Sequence, residues 1–516
     1  MAIVLIGFMG AGKSTAAREL GAALGKNVHD SDELLAREFG HPVAEEFARN
    51  GEASFRAAEE RLVLALLDRA PADEVIALGG GAVLSERVQE RLRGETTVLL
   101  DIDADRAWER VSRNGRRNER PLAGDRGAFR ALLAERRPLY ERLATAIVAP
   151  GPVRRLGALA PSLKVLARSP GARMLWAGAA SGEYPALIGD GLLTEHGPEL
   201  LAAWPIDRAA SRAFCVTDGN VAGHFGQAIG ETELTIDIAP GERSKTLASA
   251  ERVWSAFAGA GMTRADHVLA VGGGVVGDLA GFCAATYQRG VPVVQVPTTL
   301  VAQVDSAFGG KTGVDLPAAK NYVGAYHQPA GVLADPLTLR TLPAEELAAG
   351  WVEVYKTALI AGGALWERVS DGAEPDAEIV FACARTKLDV VAADERDGGR
   401  RQVLNLGHTV GHAIETATSY GRYRHGEAVG LGLLAALRLS GQDELRAQAS
   451  ELLAARGLPV RLEDVDVESV IEAVARDKKR TGAEVPFVLV KAPGEVSEGH
   501  AVSPEALRAA VEELAR

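Results

Sequence analysis

The chain is poor in the residues that mark secreted, membrane or nucleic-acid-binding proteins. It has three cysteines in 516 residues, Cys215, Cys283 and Cys383. None form a C-x-x-C pair, so neither a disulfide framework nor a zinc ribbon is expected. Each lies in an apolar stretch and reads as a small core residue. Aromatic residues make up only 5% of the chain, so the core must be mostly aliphatic. Lys and Arg number 57 against 69 Asp and Glu, a formal charge of -12. A duplex-binding surface carries a basic excess, so no nucleic-acid partner is expected. No run of about 18 apolar residues is present to span a bilayer. Met1-Ala2-Ile3-Val4-Leu5-Ile6-Gly7 lacks the basic lead and long apolar block of a secretory leader. These absences predict a cytoplasmic protein without a membrane partner.

What the chain does have is glycine, 57 residues, and 47% hydrophobic residues. That suits short strands and helices joined by tight turns, and 516 residues exceed what one core organises. Ile3 to Ile6 is a buried-strand pattern, Lys13 to Leu24 has helical spacing, and Val75 to Leu78 and Thr97 to Leu100 repeat the strand pattern. This alternation predicts an α/β domain over 1–166, a parallel sheet with helices on both faces. Ala149-Pro150-Gly151-Pro152 breaks the pattern, Leu156 to Leu166 is helical, and residues 167–173 read as a linker. From 174 to about 335 the alternation resumes, with strands at 214–217, 267–271 and 293–296, predicting an α/β nucleotide-binding part. From 336 to 516 the strand signal fades, and a mostly helical part is expected.

The sharpest motif is Gly7-Phe8-Met9-Gly10-Ala11-Gly12-Lys13-Ser14-Thr15, which fits G-x-x-x-x-G-K-[ST] between a strand and a helix. Its backbone N–H groups can curl around phosphate oxygens at a helix N-terminus. Lys13 would reach the terminal phosphates and Ser14 would hold Mg²⁺. Asp30-Ser31-Asp32 supplies two carboxylates, one for the metal through water and one to take a hydroxyl proton. Gly79-Gly80-Gly81 lets a small polyol approach the backbone. Arg56, Arg113, Arg116, Arg117, Arg120 and Arg136 are forks for carboxylate or phosphate.

With Phe55-Arg56, Arg120-Pro121-Leu122 and Arg136-Arg137-Pro138-Leu139-Tyr140, these residues resemble shikimate kinase over roughly 1–166. The resemblance implies that Gly10, Ala11, Gly12, Lys13, Ser14 and Thr15 bind ATP, with Arg113 near the adenine. It implies that Asp32, Arg56, Gly79, Gly80, Gly81 and Arg136 bind shikimate, and that Lys13, Asp32 and Arg120 act in catalysis. Arg120 would lie on a mobile lid whose closure excludes water. Of the adjacent pair Arg136 and Arg137, the first stands two residues before Pro138 and is assigned the substrate.

The second half carries Gly272-Gly273-Gly274-Val275-Val276-Gly277-Asp278 after a strand, formally G-x-G-x-x-G. Thr217-Asp218-Gly219-Asn220 and Pro240-Gly241-Glu242-Arg243-Ser244-Lys245 are further strand-end loops, and together they suggest a dinucleotide site. His408 and His412 stand four apart, on one helix face, and His425 follows a short loop later. Glu353, with Lys356 three residues on, lies on an earlier helix. Two or three histidines plus a carboxylate make a catalytic zinc pattern. Lys311, Lys320, Lys356, Lys387, Arg289 and Arg401 in an acidic protein imply a phosphorylated, anionic substrate.

Pro297-Thr298-Thr299, Asp305 to Thr312, Lys320-Asn321, Glu353 to Thr357, Asp394-Glu395-Arg396, Asn405 to His412 and His425-Gly426-Glu427 follow in order, and residues 174–516 resemble 3-dehydroquinate synthase. The resemblance implies Glu353, His408 and His425 as ligands of Zn²⁺ or Co²⁺. It implies Asp218, Asn220, Glu242, Lys245, Gly274, Val275, Asp278, Thr298, Thr299, Lys311 and Lys320 at NAD. It places Arg289, Asp305, Lys311, Lys320, Asn321, Lys387, Arg401 and Asn405 at the substrate. Lys311, Lys356 and His412 would be catalytic, and a homodimer through this half is expected. Asp397 departs from the family, which commonly has Glu there. The implied reaction oxidises an alcohol with NAD, expels phosphate and returns the hydride before the ring recloses. Two other readings of the half stay open on its residues, a polyol dehydrogenase and a different sugar-phosphate cyclase. For the first half the alternative is another P-loop small-molecule kinase.

Overall fold

Short aliphatic runs, most of them buried on both faces, build the parallel strands of the chain. They are seen in a computed structural model that describes residues 1–69, 74–113, 125–149, 156–204, 211–317, 319–476 and 485–516. The chain divides into two compact units, Met1–Leu187 and Ile188–Arg516.

The first unit holds β1 (Ile3–Ile6), β2 (Asn27–Asp30), β3 (Glu74–Ala77), β4 (Thr96–Leu100), β5 (Ala146–Val148), β6 (Arg173–Gly178) and β7 (Glu183–Ile188). Their order is β2-β3-β1-β4-β5-β6-β7. Pairing from β2 to β6 is parallel, with Val4 opposite Ile76 and Thr97, and Ile147 opposite Leu175. All four residues of β1 are buried, as expected for a central parallel strand. The helix Lys13–Leu24 buries Ala16, Ala17 and Leu20 on one face. Because β1 lies between β3 and β4, the loops leaving β1 and β3 open together at the carboxyl edge, where such sheets bind ligands.

The second unit repeats the plan. β8 (Ala213–Asp218), β9 (Leu234–Ile238), β10 (His267–Gly272) and β11 (Val293–Pro297) are followed by a hairpin of β12 (Lys311–Leu316) and β13 (Ala319–Tyr326), then β14 (Gly331–Ala334). The parallel order is β14-β11-β10-β8-β9. Phe214, Val253, Phe257 and Leu279 pack in one cluster beside them. Helices then take over, among them Ala344–Ala361, Ala377–Ala393, His408–Ala417 and His425–Leu439. One late hairpin, β15 (Phe487–Ala492) with β16 (Glu495–His500), interrupts this helical part. Its first strand opens on an apolar run, Phe487 to Val490, which sequence reasoning passed over, while its second is mostly exposed and has no such run.

Candidate active sites

In the first unit the residues after β1 form the phosphate loop, and Lys13 Nζ donates to the carbonyls of Gly7 (2.8 Å) and Phe8 (3.2 Å). Gly10, Ala11, Gly12, Lys13, Ser14 and Thr15 line a cleft of about 600 Å³ that also holds Asp30, Asp32 and Arg110. The two carboxylates after β2 do different work. Asp30 Oδ1 caps the next helix, accepting from the N–H groups of Asp32 (3.0 Å) and Glu33 (3.3 Å). Asp32 is thereby turned towards the glycines after β3. A Cβ on Gly79 would stand 2.6 Å from Asp32 Oδ1 and from Glu59 Oε1, and one on Gly81 would collide with Arg56. Only glycine leaves that space.

Arg56 pairs with Glu59 at 2.6 Å and with Glu52 at 3.2 Å. Burial pushes the Glu59 carboxyl above its ordinary range, against the pull of Arg56. Arg136 is buried and acts electrostatically on both Glu59 and Tyr140. Tyr140, pushed up to about 12 by burial, donates its hydroxyl to the Gly80 carbonyl at 2.5 Å. Arg137 turns elsewhere, to Asp101 (3.3 Å) and the Ile102 carbonyl (3.1 Å). Asp32, Arg56, Gly79 to Gly81 and Arg136 are therefore brought together. The backbone of Arg113 ends the helix Ala104–Arg113, while its side chain and all of Arg120 lie outside the described residues. Sequence reasoning missed Glu59, although an acid three residues after Arg56 on one helix is a recognisable pair.

The carboxyl ends of the second unit's parallel strands collect the predicted nucleotide residues. Asp218 ends β8 and caps the next helix through the N–H groups of Asn220 (2.9 Å) and Val221 (3.1 Å). After β10 a helix starts at Gly274, with Val275 and Asp278 in its first turns. After β11, Thr298 N–H donates to the Gly272 carbonyl (3.0 Å), with Thr299 beside Gly273. Lys245, buried, donates to Asp278 Oδ2 and Asn321 Oδ1, both at 2.6 Å. Burial opposes its charge, but Asp278 and Glu242 outweigh that and hold its pKa above the ordinary value. Glu242 lies 3.9 Å from both Lys245 and Lys320.

The helix Ala344–Ala361 is buried on almost every side. A helix that is apolar all round belongs in a core, yet this one carries Glu353 and Lys356, each 1% exposed and 2.5 Å apart. His408 and His425 each begin a helix, and their Nε2 atoms lie 3.6 and 3.7 Å from Glu353 Oε1. A Cβ on Gly426 would stand 2.0 Å from the Ala349 carbonyl, so glycine is what seats the His425 helix on the Glu353 helix. Apart from its ion pair with Lys356, the Glu353 carboxylate accepts no hydrogen bond among the described residues. One ligand atom from each of Glu353, His408 and His425 lies within 4.8 Å of the others. A buried carboxylate with one oxygen open towards two imidazoles fits a divalent cation.

Around this set, Asp305 Oδ1 lies 2.8 Å from Lys387 and 4.0 Å from Lys356. Burial disfavours the Asp305 charge, but Lys387 and Lys356 overcome it and hold the carboxyl well below the usual range. Lys387 itself is pushed down by burial. Lys311 pairs with Asp397 at 2.5 Å, so the carboxylate at the departing position faces a predicted catalytic lysine. Arg401, buried, donates to the carbonyls of Gly309 (2.9 Å) and Glu395 (2.5 Å). His412 meets His408 edge-to-face at a ring separation of 5.2 Å and lies tilted beside His425 at 5.9 Å. Arg289 lies in the exposed turn Tyr287–Arg289 and Asn405 closes the turn Arg400–Asn405. Among the described residues neither side chain bonds to the cluster. Glu415, which sequence reasoning passed over, is buried beside His425 and Lys320. Burial opposes its charge, but the His425 hydrogen bond and the His425 and Lys320 charges lower its pKa to about 2.

A phosphate loop over an acid-and-arginine pocket is the site of a small-molecule kinase. A nucleotide edge beside a Glu–His–His donor set is that of a metal- and nucleotide-dependent enzyme. Comparison with known proteins agrees with both. The shikimate kinase family model matches residues 9–152, and the models for the N-terminal and C-terminal parts of 3-dehydroquinate synthase match 235–349 and 350–480. The 3-dehydroquinate synthase of Symbiobacterium thermophilum is 43% identical over 356 residues, 64% of this chain and 98% of the relative. That of Caulobacter vibrioides is 42% identical over 63% of this chain and 94% of its own length. A crystal structure of 2-deoxy-scyllo-inosose synthase with carbaglucose-6-phosphate, NAD⁺ and Co²⁺ shares the fold, with a TM-score of 0.58 at 24% identity, over 66% of this chain and 99% of that one. The chain belongs to the 3-dehydroquinate synthase family and carries a shikimate kinase domain ahead of it, a bifunctional enzyme of aromatic biosynthesis. Among the described residues no helix is long and apolar enough to cross a membrane.

Proposed function

We propose that residues 1–166 phosphorylate shikimate from ATP with Mg²⁺, and that residues 174–516 convert 3-deoxy-D-arabino-heptulosonate 7-phosphate to 3-dehydroquinate and phosphate. Residues 167–173 join them, with 174–335 holding NAD and 336–516 the metal. In the kinase, Asp32 takes the proton of the attacking hydroxyl while Arg56 and Arg136 hold the substrate carboxylate. Lys13 would meet the transferring phosphate and Ser14 would hold Mg²⁺, and the resemblance gives Arg120 to the same phosphate and Arg113 to the adenine. In the synthase, Glu353, His408 and His425 hold Zn²⁺, which when bound acidifies a substrate hydroxyl. NAD, when bound, supplies a hydride acceptor along the loops after β8, β10 and β11. Lys356, Lys387, Lys311 and Arg401 bind the anionic groups of the substrate. His412 carries the hydroxyl proton away.

The observation that carries this reading is the buried Glu353, whose Oε1 faces two imidazole nitrogens and accepts no hydrogen bond among the described residues, beside the Asp305–Lys387–Lys356 charges. The crystallised cyclase that holds NAD⁺ and Co²⁺ supports the cofactor pair. The test is an assay panel on the purified protein: shikimate with ATP, and the heptulosonate phosphate with catalytic NAD, each with and without chelator. Both products are expected, without net gain of NADH. Accumulating NADH would replace the synthase reading by a dehydrogenase. A homodimer through the second half is the expected assembly, which sedimentation of the full chain tests, and the cytoplasm is the expected compartment, which cell fractionation tests.

A further inference from the structure

Behind Glu353, His408 and His425 stands a carboxylate that the proposed chemistry leaves unused. Glu415 lies on the helix of His408 and His412, seven residues after the first and three after the second, on one face. It is 3% exposed, an uncommon place for a carboxylate without partners. Its two oxygens serve two groups. Oε2 faces His425 Nδ1 at 3.4 Å, and Oε1 accepts from Lys320 Nζ at 3.1 Å. With Nδ1–H held there, the free lone pair of His425 is on Nε2, the atom 3.7 Å from Glu353 Oε1. His408 shows the same arrangement with a different partner. Its Nδ1 faces the Leu406 carbonyl at 3.2 Å, and its Nε2 turns to Glu353. An outer acceptor of this kind fixes tautomer and ring orientation and raises ligand basicity. For His408 that acceptor is neutral backbone. For His425 it is a charged side chain, compensated by Lys320.

We propose that Glu415 is a positioning residue that orients His425 for the metal from outside the ligand set and is held in place by Lys320 on β13. The proposal rests on Glu353, His408 and His425 being the metal site. It competes with one other arrangement, because His412, Glu415 and His425 also form a compact donor group, in which Glu415 would touch the ion itself.

The full-length protein and its Glu415→Gln and Glu353→Gln variants are stripped of metal and titrated with Zn²⁺ against a chromophoric chelator, without substrate or NAD. Each is then loaded with Co²⁺ for its visible spectrum. Glu415→Gln is expected to weaken Zn²⁺ binding by about 10–100-fold. Its Co²⁺ bands should shift in position but keep the intensity of the wild-type coordination number. Zn²⁺ affinity within about twofold of wild type would overturn the proposal. So would Co²⁺ bands of a changed coordination number, since Glu415 would then be a ligand. Glu353→Gln is the separate control: if it keeps wild-type affinity, the metal-site reading fails, whatever Glu415 does. Should Glu415→Gln not fold, Glu415→Asp goes through the same two measurements, with the same outcomes deciding.

Discussion

Asp30 and Asp32 look interchangeable as letters, and the structure separates them. Asp30 spends its carboxylate on backbone N–H groups, whereas Asp32 meets the glycines of the kinase pocket. Asp32→Asn should therefore lower the kinase turnover number by about 10²–10⁴-fold, with a smaller effect on the KM for shikimate. Asp30→Asn should cost much less, since an asparagine also caps. Steady-state assays of the two variants check both. The same contrast shows what the sequence could and could not reveal. Residues that announce themselves by spacing, such as Lys13, His408 and His412, could be picked out directly. Glu59 has a telling spacing from Arg56 but was passed over, and neither it nor Glu415 shows its burial in the sequence, where an acid in a helix reads as solvated. Arg136 could be chosen over Arg137 only by motif, and burial now gives a physical ground for the choice.

At the scale of elements, the strands and helices that were legible are those with one dominant pattern. β1 and the helix Lys13–Leu24 have the expected bounds. The β15–β16 hairpin was passed over: β15 opens on the apolar run Phe487 to Val490, but β16 is mostly exposed and offers no strand pattern to pair with it. The helix Ala344–Ala361 carries its function as an exception inside a core element. Removing only one member of the buried Glu353–Lys356 pair leaves a lone buried charge, at about 3–5 kcal/mol. Lys356→Met should therefore lower the melting temperature of the metal-free protein more than Lys356→Met combined with Glu353→Gln, as calorimetry will show. A second element contact sets acid behaviour. Asp266 precedes β10, is buried, and accepts from Arg212 and Thr263. Burial opposes its charge, but these bonds bring its pKa down to about 2. A depressed carboxylate contributes stability that is fully present above its unfolded pKa of about 4 and is lost as pH falls towards 2. Asp266→Asn should thus melt lower than wild type by a constant margin from pH 5 to 8. Below about pH 4 the two melting curves should converge.

The whole molecule places two chemistries on two separate sets of residues. The kinase set, Lys13, Asp32, Arg56 and Arg136, lies within Met1–Leu187, and the synthase set, Glu353, His408 and His425, within Ile188–Arg516. The two sets also want different ions. A phosphate loop with one hydroxyl ligand leaves Mg²⁺ mostly to water and nucleotide, so that ion exchanges freely. A buried carboxylate with two imidazoles is a nitrogen-rich, three-ligand site that Mg²⁺ does not fill. Treatment with a strong chelator followed by its removal should therefore silence both activities. Adding Mg²⁺ alone should restore shikimate phosphorylation to about its initial rate while the synthase stays silent. Adding Zn²⁺ or Co²⁺ at protein-equivalent concentration should then restore the synthase. Glu353→Gln should separate the halves the same way without a chelator, keeping kinase kcat/KM within about twofold while synthase turnover falls by more than about 100-fold. A matching fall in the kinase would mean that the two halves are energetically coupled, and independent residue sets would no longer describe the enzyme.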